Sequence, residues 1–283
     1  MVSEGMAKAT VFWQGHPLRC GSPGITLVLM RNVFLIAAVA LVFISARGTT
    51  SAQSTNAPLQ GDALPTAQGN AILHPVNHST VVLGWNALTI YTDPVGDATR
   101  FEGLPLPQLI LITDIHGDHF NVETLKRLVR ADTRLVAPQA VADQLPAEWR
   151  DRLTILTNAQ TASVCGVGIE AIPMYNTTPE RQQYHPKGRG NGYVLTLADK
   201  RVYLSGDTED IPEMRTLKGI DAAFVCMNLP YTMTVDQAAS AVKAFKPKTV
   251  YPYHYRGSDL ERFRRLLADE PGITVRIVDW YRP

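Results

Sequence analysis

The sequence predicts an α/β protein built as a sandwich, with two mixed β-sheets inside and helices outside. Three observations predict it. Of the 283 residues, 45% are hydrophobic and 19% charged, the composition of a globular chain, which excludes a wholly disordered, collagen-like or polytopic membrane protein. Short apolar runs bounded by turn residues recur through the C-terminal three quarters of the chain. Their order is β-rich hairpins followed by alternating β and α, twice over.

Residues 80–92 give two apolar runs around Gly84-Trp85-Asn86, and residues 107–113 (PQLILIT) are a short buried strand. Asn121 can cap a helix whose Val122, Leu125, Leu128 and Val129 form one apolar stripe. A strand at 135–137 and a helical piece around 140–145 follow, then strands at 153–156, 168–174, 192–197, 201–205 and 221–226. Thr234-Val235-Asp236-Gln237 is a capping-box pattern that opens a helix through Ala238, Ala241, Val242 and Phe245. A strand at 248–251, a helix at 259–268 and a strand at 273–278 complete one folding unit.

Ahead of it, residues 33–44 (VFLIAAVALVFI) are unbroken in their apolarity, preceded by Met30-Arg31-Asn32 and followed by small residues through Thr50-Ser51-Ala52. A positive start, a short apolar centre and a small-residue exit are the parts of a secretory signal. The centre is shorter than the roughly 20 residues a bilayer-spanning helix needs. Cleavage after Ala52 and export, periplasmic or secreted, are therefore expected, with an uncleaved membrane anchor at 33–44 as the alternative. Residues 1–29 read as a non-native or unstructured extension with Met30 as the expected start, 30–52 as the signal peptide, 53–70 as a flexible linker and 71–283 as the domain.

Lys and Arg number 27 against 26 Asp and Glu, a formal charge of +1, so no broad field draws the chain to polyanions and nucleic acid is not an expected partner. A small-molecule substrate is, with membrane contact only through the N-terminal segment if it stays uncleaved. Cys20, Cys165 and Cys226 form no C-x-x-C pair and no disulfide framework. Cys226 ends an apolar run and reads as an inert core thiol.

Directly after LILIT the chain reads Asp114-Ile115-His116-Gly117-Asp118-His119-Phe120, placing four metal-ligand side chains within six residues at a strand-to-helix junction. Buried unpaired Asp and His are costly, and divalent metals are the usual answer to such clusters. Gly117 is expected to give the loop an unusual backbone conformation, so that alternate side chains converge on two neighbouring points. Three more candidates stand at strand ends far off in sequence: His185 in YHPKGRGNG, Asp207 in SGDT and His254 in YPYHY. Strand ends of a layered α/β fold gather along one edge, where sites are built.

These residues resemble the metallo-β-lactamase-fold hydrolases, in particular the branch of ascorbate-6-phosphate lactonase-like proteins and phospholipid-cleaving N-acylphosphatidylethanolamine phosphodiesterases. The likeness runs from Ala71 to the C-terminus. The family signature is H-x-H-x-D-H after a strand, a distant His, a bridging Asp in a G-D-T or G-D-S turn, and a final His. His116, Asp118, His119, His185, Asp207 and His254 fill those places in order. The resemblance implies an αββα sandwich holding two divalent metal ions, zinc first, with Mn or Fe as alternatives. It implies Asp114, His116 and His185 on one metal, Asp118, His119 and His254 on the other, and Asp207 bridging, with Asp118 or Asp207 orienting the nucleophile.

One position departs, since the family's first His is Asp114 here. An oxygen donor still ligates, and it moves the site toward harder ions. Two divalent metals would bring about four positive charges, and the three carboxylates with a bridging hydroxide would remove about as many. Lys187, Arg189 and Arg256 are neighbouring cations, equally readable as solvated loop charges. His78 reads as a support for a ligand or as structural, and Tyr231, Thr232 and Met233 as a pocket rim or a plain turn. The implied activity is hydrolysis of a small ester or lactone by metal-activated water. A phosphodiester or a β-lactam is the alternative substrate. A mononuclear iron oxidoreductase is the rival of another class, against which the complete second ligand set argues.

Overall fold

Each of two seven-stranded sheets is contiguous in sequence. The computed structural model describes residues 58–281. The first sheet holds, side by side in chain order, β1 (Asp62–Thr66), β2 (Gly69–Asn77), β3 (Thr80–Trp85), β4 (Leu88–Thr92), β5 (Leu109–Leu111), β6 (Arg134–Ala137) and β7 (Leu153–Ile155). The second holds β8 (Thr161–Val164), β9 (Val167–Met174), β10 (Gly190–Leu197), β11 (Lys200–Leu204), β12 (Ala222–Cys226), β13 (Thr249–Tyr253) and β14 (Thr274–Val275). In both, the first four strands pair antiparallel and the remaining joins are parallel. This is the twice-repeated order read from the sequence.

The period of two along each strand sorts the core into layers. Val81, Leu83, Leu109, Leu111 and Val136 belong to the large cluster shared with the second sheet. Their neighbours Val82, Ile110, Ile112, Leu135 and Ala137 pack with Leu125 and Leu128 of α1 (Val122–Leu128) and Val141 of α2 (Gln139–Ala142). The large cluster takes in Ala238, Ala241, Val242 and Phe245 of α4 (Val235–Phe245) and Phe263 of α5 (Leu260–Leu266). The caps are those expected: Asn121 accepts from Thr124 N at 2.9 Å, and Thr234 and Gln237 form a reciprocal capping box. Cys226 is fully buried, and burial pushes its thiol up to about 11, an inert state.

Four strands and helices escape the sequence reading: β1, β2, β8 and α3 (Pro212–Arg215). The segment read as a linker contains β1, whose register with β2 runs from Asp62 opposite Leu73 to Thr66 opposite Gly69, so the folded region begins ahead of Ala71. Its alternating, only half-buried side chains and Pro65 suit an edge strand, which needs few large apolar residues. Arg276 and Tyr251 hold Asp62 from the other sheet's side of the sandwich. The signal-like segment, its cleavage point and Cys20 lie outside the described residues. Among the described residues no helix is long and apolar enough to cross a membrane.

The two sheets are stitched at one edge. His254 N donates to His78 O at 3.0 Å, Asn191 N to Thr113 O at 3.0 Å, and the Tyr193 hydroxyl to Ile112 O at 2.8 Å. Every candidate ligand stands on that edge.

Candidate metal centre

The edge is the C-terminal side of β2, β4, β5, β9, β11 and β13. His78 follows β2, Asp93 follows β4, Asp114 to His119 follow β5, His185 lies in the β9–β10 connection, Asp207 follows β11 and His254 follows β13. Sharp exits are needed, and the backbone supplies them in the left-handed region at His78 (φ 48°), Asp93 (46°), Gly206 (61°) and His254 (47°). Such a conformation costs a non-glycine residue on the order of 1–3 kcal/mol, and it clusters at functional sites. Glycine suits position 206 doubly, since a Cβ there would also force Met174 to move. Gly117, expected to carry the unusual conformation, has no left-handed φ. The turn around it closes through His119 N and Phe120 N on His116 O, at 2.9 and 2.8 Å, a helical turn open to any residue.

The seven residues read from the sequence come together. Asp114 Oδ2 lies 2.8 Å from His116 Nδ1 and 3.8 Å from His185 Nε2, one candidate corner. Asp118 Oδ2 is 3.2 Å from His254 Nε2 and Asp118 Oδ1 is 4.0 Å from His119 Nε2, while His119, Asp207 and His254 are the second group close enough to hold an ion. Between them Asp207 Oδ2 stands 3.3, 3.4 and 3.2 Å from the Nε2 atoms of His119, His185 and His254. Asp114, His119, His185, Asp207 and His254 are buried, whereas the side chains of His116 and Asp118 keep 39% and 46% of their accessibility and form the mouth.

Hydrogen bonds behind the rings decide which nitrogen faces inward. Asp93 Oδ2 takes the Nδ1 proton of His119 at 2.8 Å, and Asp93 is itself held by Thr113 N at 2.8 Å and the Thr113 hydroxyl at 2.6 Å. Tyr231 O takes the Nδ1 proton of His185 at 3.1 Å. Both rings therefore present a bare Nε2 to the centre. His78 is the opposite case. The Tyr281 hydroxyl already accepts from Tyr255 N and Arg256 N at 3.2 and 3.0 Å, so its own proton goes to His78 Nδ1, 2.6 Å away. His78 Nε2 then carries a proton and donates it to Asp118 Oδ2 at 3.3 Å. Although His78, Asp118 and His254 are close enough to hold an ion, this tautomer makes His78 a support for Asp118.

Electrostatics agree with a cation-seeking centre. Burial would raise the Asp207 carboxyl, but His254 and His119 hold it well below the usual carboxylate range. Burial would likewise raise Asp118, and hydrogen bonds from His254 and His78 override it. Burial would lower His119, yet Asp207 and Asp93 pull it well above the ordinary histidine value. The field that draws a proton there draws a divalent cation equally. Burial keeps His185 low and neutral, the form that ligates.

The loop cations divide. Arg189 turns inward onto Asp114. Lys187 pairs with Glu213 at 2.9 Å over the Tyr175 ring, an exposed pair, and Arg256 lies on the Tyr281 ring, 5.3 Å from its centre. Tyr231 and Leu229 are exposed, but Thr232 and Met233 are buried. Asp93, Tyr281 and Glu209, which ties down the loop before His185, were not legible as site residues. The strand-end argument that found Asp207 would have found Asp93.

The residues fit a metal. The Nε2 atoms of His119 and His185 and Oδ1 of Asp207 are buried with no hydrogen-bond partner, a costly state that an ion would relieve. Imidazole and carboxylate together suit zinc, manganese or iron.

Comparison with known proteins places the chain. The profile of the beta-lactamase superfamily domain matches residues 89–255. The UPF0173 metal-dependent hydrolase of Pyrococcus horikoshii is 31% identical over 188 residues, 63% of this chain and 82% of its own. A crystal structure of a candidate metal-dependent hydrolase from Parabacteroides distasonis is 41% identical, covers 77% of this chain and 97% of that one, and superposes with a TM-score of 0.71. A metallo hydrolase from Ignicoccus hospitalis, 21% identical over 74% of this chain and 95% of its own, shares the fold with a TM-score of 0.63. Fold and site thus define a metal-dependent hydrolase of the metallo-β-lactamase superfamily, and within it the chain belongs to the UPF0173 metal-dependent hydrolase family.

Proposed function

We propose that the chain hydrolyses a small carboxylic ester or lactone with two divalent metal ions, zinc first, at this centre. Asp114, His116 and His185 would hold one, Asp118, His119 and His254 the other, and Asp207 both. The observation that carries the reading is the pair of partnerless buried nitrogens, His119 Nε2 and His185 Nε2, which reach Asp207 from opposite halves of the chain. Bound ions supply Lewis acidity and bring the pKa of water toward neutrality.

The chain's own groups do the rest. Asp118 is exposed at the mouth, where His78 Nε2 donates to its Oδ2 and fixes the carboxylate, so that it would orient the attacking water and take its proton. Tyr231, whose carbonyl holds His185, offers exposed apolar surface beside the centre to the uncharged part of a substrate. Arg189 is taken by Asp114 and Lys187 by Glu213, so little positive charge waits for a phosphodiester. The resemblance to the ascorbate-6-phosphate lactonase-like branch supports the same choice.

Metal analysis combined with a panel of ester, lactone, phosphodiester and β-lactam substrates tests the reading. Turnover of esters or lactones should vanish on chelation and return with a divalent ion, and His116→Ala should lose metal and activity together. Full activity in a metal-free sample would overturn it, and one bound iron with oxidation of a sulfur compound would replace it with the oxidoreductase.

A further inference from the structure

We infer that Arg189 is a positioning residue for the corner of Asp114, His116 and His185: it locks the Asp114 carboxylate and cancels its charge, so that the two side chains together act as one neutral ligand. The inference rests on the metal-binding reading above and deepens it.

Asp114 is fully buried, and both its oxygens meet one guanidinium, Oδ1 at 3.1 Å from Nε and Oδ2 at 2.9 Å from Nη2. A two-point fork of this kind fixes the plane of a carboxylate, which a lysine cannot do. The Arg189 side chain keeps only 18% of its accessibility. Its Nη2 also donates to Tyr184 O and lies 3.3 Å from His116 Nε2. Both partners are thus withdrawn from water, and such a pair is costly to break because the survivor is a buried lone charge.

The backbone makes the pairing a built feature. Arg189 stands immediately before β10, where Asn191 N bonds Thr113 O, the carbonyl directly before Asp114. The approach is so close that a Cβ on Gly190 would come within 2.8 Å of that same oxygen. The register of β10 against the β5 loop therefore sets Arg189 against Asp114 before any side chain chooses a rotamer.

A carboxylate in this corner adds a negative charge that a histidine would not, and Arg189 returns the corner to neutrality. Fixing the plane of the carboxylate also leaves Oδ2 directed at His116 Nδ1 and the corner.

A double-mutant cycle on metal affinity tests this. Zinc is titrated calorimetrically into the chelator-stripped full chain, into Arg189→Met, into Asp114→His and into the double variant, with thermal melts to confirm folding. Arg189→Met alone should weaken one of the two sites about tenfold or more, as loss of a group behind a ligand does. In the Asp114→His background the same change should cost nothing, because an imidazole needs no guanidinium. Arg189→Lys, which keeps the charge and loses the fork, should fall between, and it carries the test if Arg189→Met does not fold. Equal losses in both backgrounds, or no loss in the native one, would overturn the role of Arg189. A native chain that takes up no zinc would instead sink the metal-binding reading itself.

Discussion

Asp93 illustrates how much of this centre depends on atoms no ion would touch. Its carboxylate fixes the His119 tautomer and is in turn fixed by Thr113, so His119 Nε2 is bare by construction. Asp93→Asn can turn an amide N–H toward His119 Nδ1 and reverse that tautomer. Zinc affinity, measured by competition with a chromophoric chelator, should fall about 10–100-fold. An unchanged affinity would mean that His119 takes its orientation elsewhere. The ligands themselves were legible because spacing betrays them: four donors in one loop, and three more at strand ends. Asp93 is a lone polar residue that only its place at the end of β4 would betray, and Tyr281 has no such signal. Tyr281 meets a histidine 203 residues away, and no local pattern encodes that.

At the scale of elements, the β9–β10 connection holds only a 3₁₀ turn at Pro179–Arg181, yet it must present His185. Glu209 does the holding. Its buried carboxylate accepts from Thr177 N, Thr178 N, the Thr177 hydroxyl and Arg181, at 2.7, 2.6, 2.8 and 2.7 Å. Burial would raise its pKa, but those donors, the Thr178 amide foremost, keep it below the ordinary 4.5. A carboxyl lowered in the folded state stabilises fully above its unfolded value and loses that contribution as the pH falls toward the folded one. Glu209→Gln should therefore cost about 2–3 kcal/mol near pH 7, by urea denaturation, with the deficit shrinking in acid below about 4.5. A variant as stable as the native chain at neutral pH would show that the loop is anchored otherwise. Elements legible in the sequence are those whose apolar pattern is dense: the central strands, the capped α1 and the boxed α4. Of the elements missed, β1 and β8 are sheet edges and α3 is a single turn after Pro212, each burying little, and β2 fully buries only Ala71 and Leu73 before His74 and Pro75 break its apolar pattern.

For the whole molecule, we propose that the chain is exported and that its mature form begins near Gln53. The signal-like segment ends at Ala52, and β1 begins at Asp62, so cleavage there spares every described strand. Intact-mass measurement of the exported protein should give a chain lacking residues 33–44, and their retention would refute cleavage.

The contiguity of the two sheets has a consequence for how binding and assembly relate. The described chain passes from one sheet to the other once, between β7 and β8. The piece before that passage brings Asp114, His116, Asp118 and His119, and the piece after it brings His185, Asp207 and His254. Neither piece owns a whole corner. A chain nicked at the passage would keep all its strand pairings and lose only its covalent tether. Its centre would then work as a coincidence detector, completed when both pieces are docked and dismantled when they part. An ion gripped from both sides is a rivet across the joint, so its binding energy is also energy of docking.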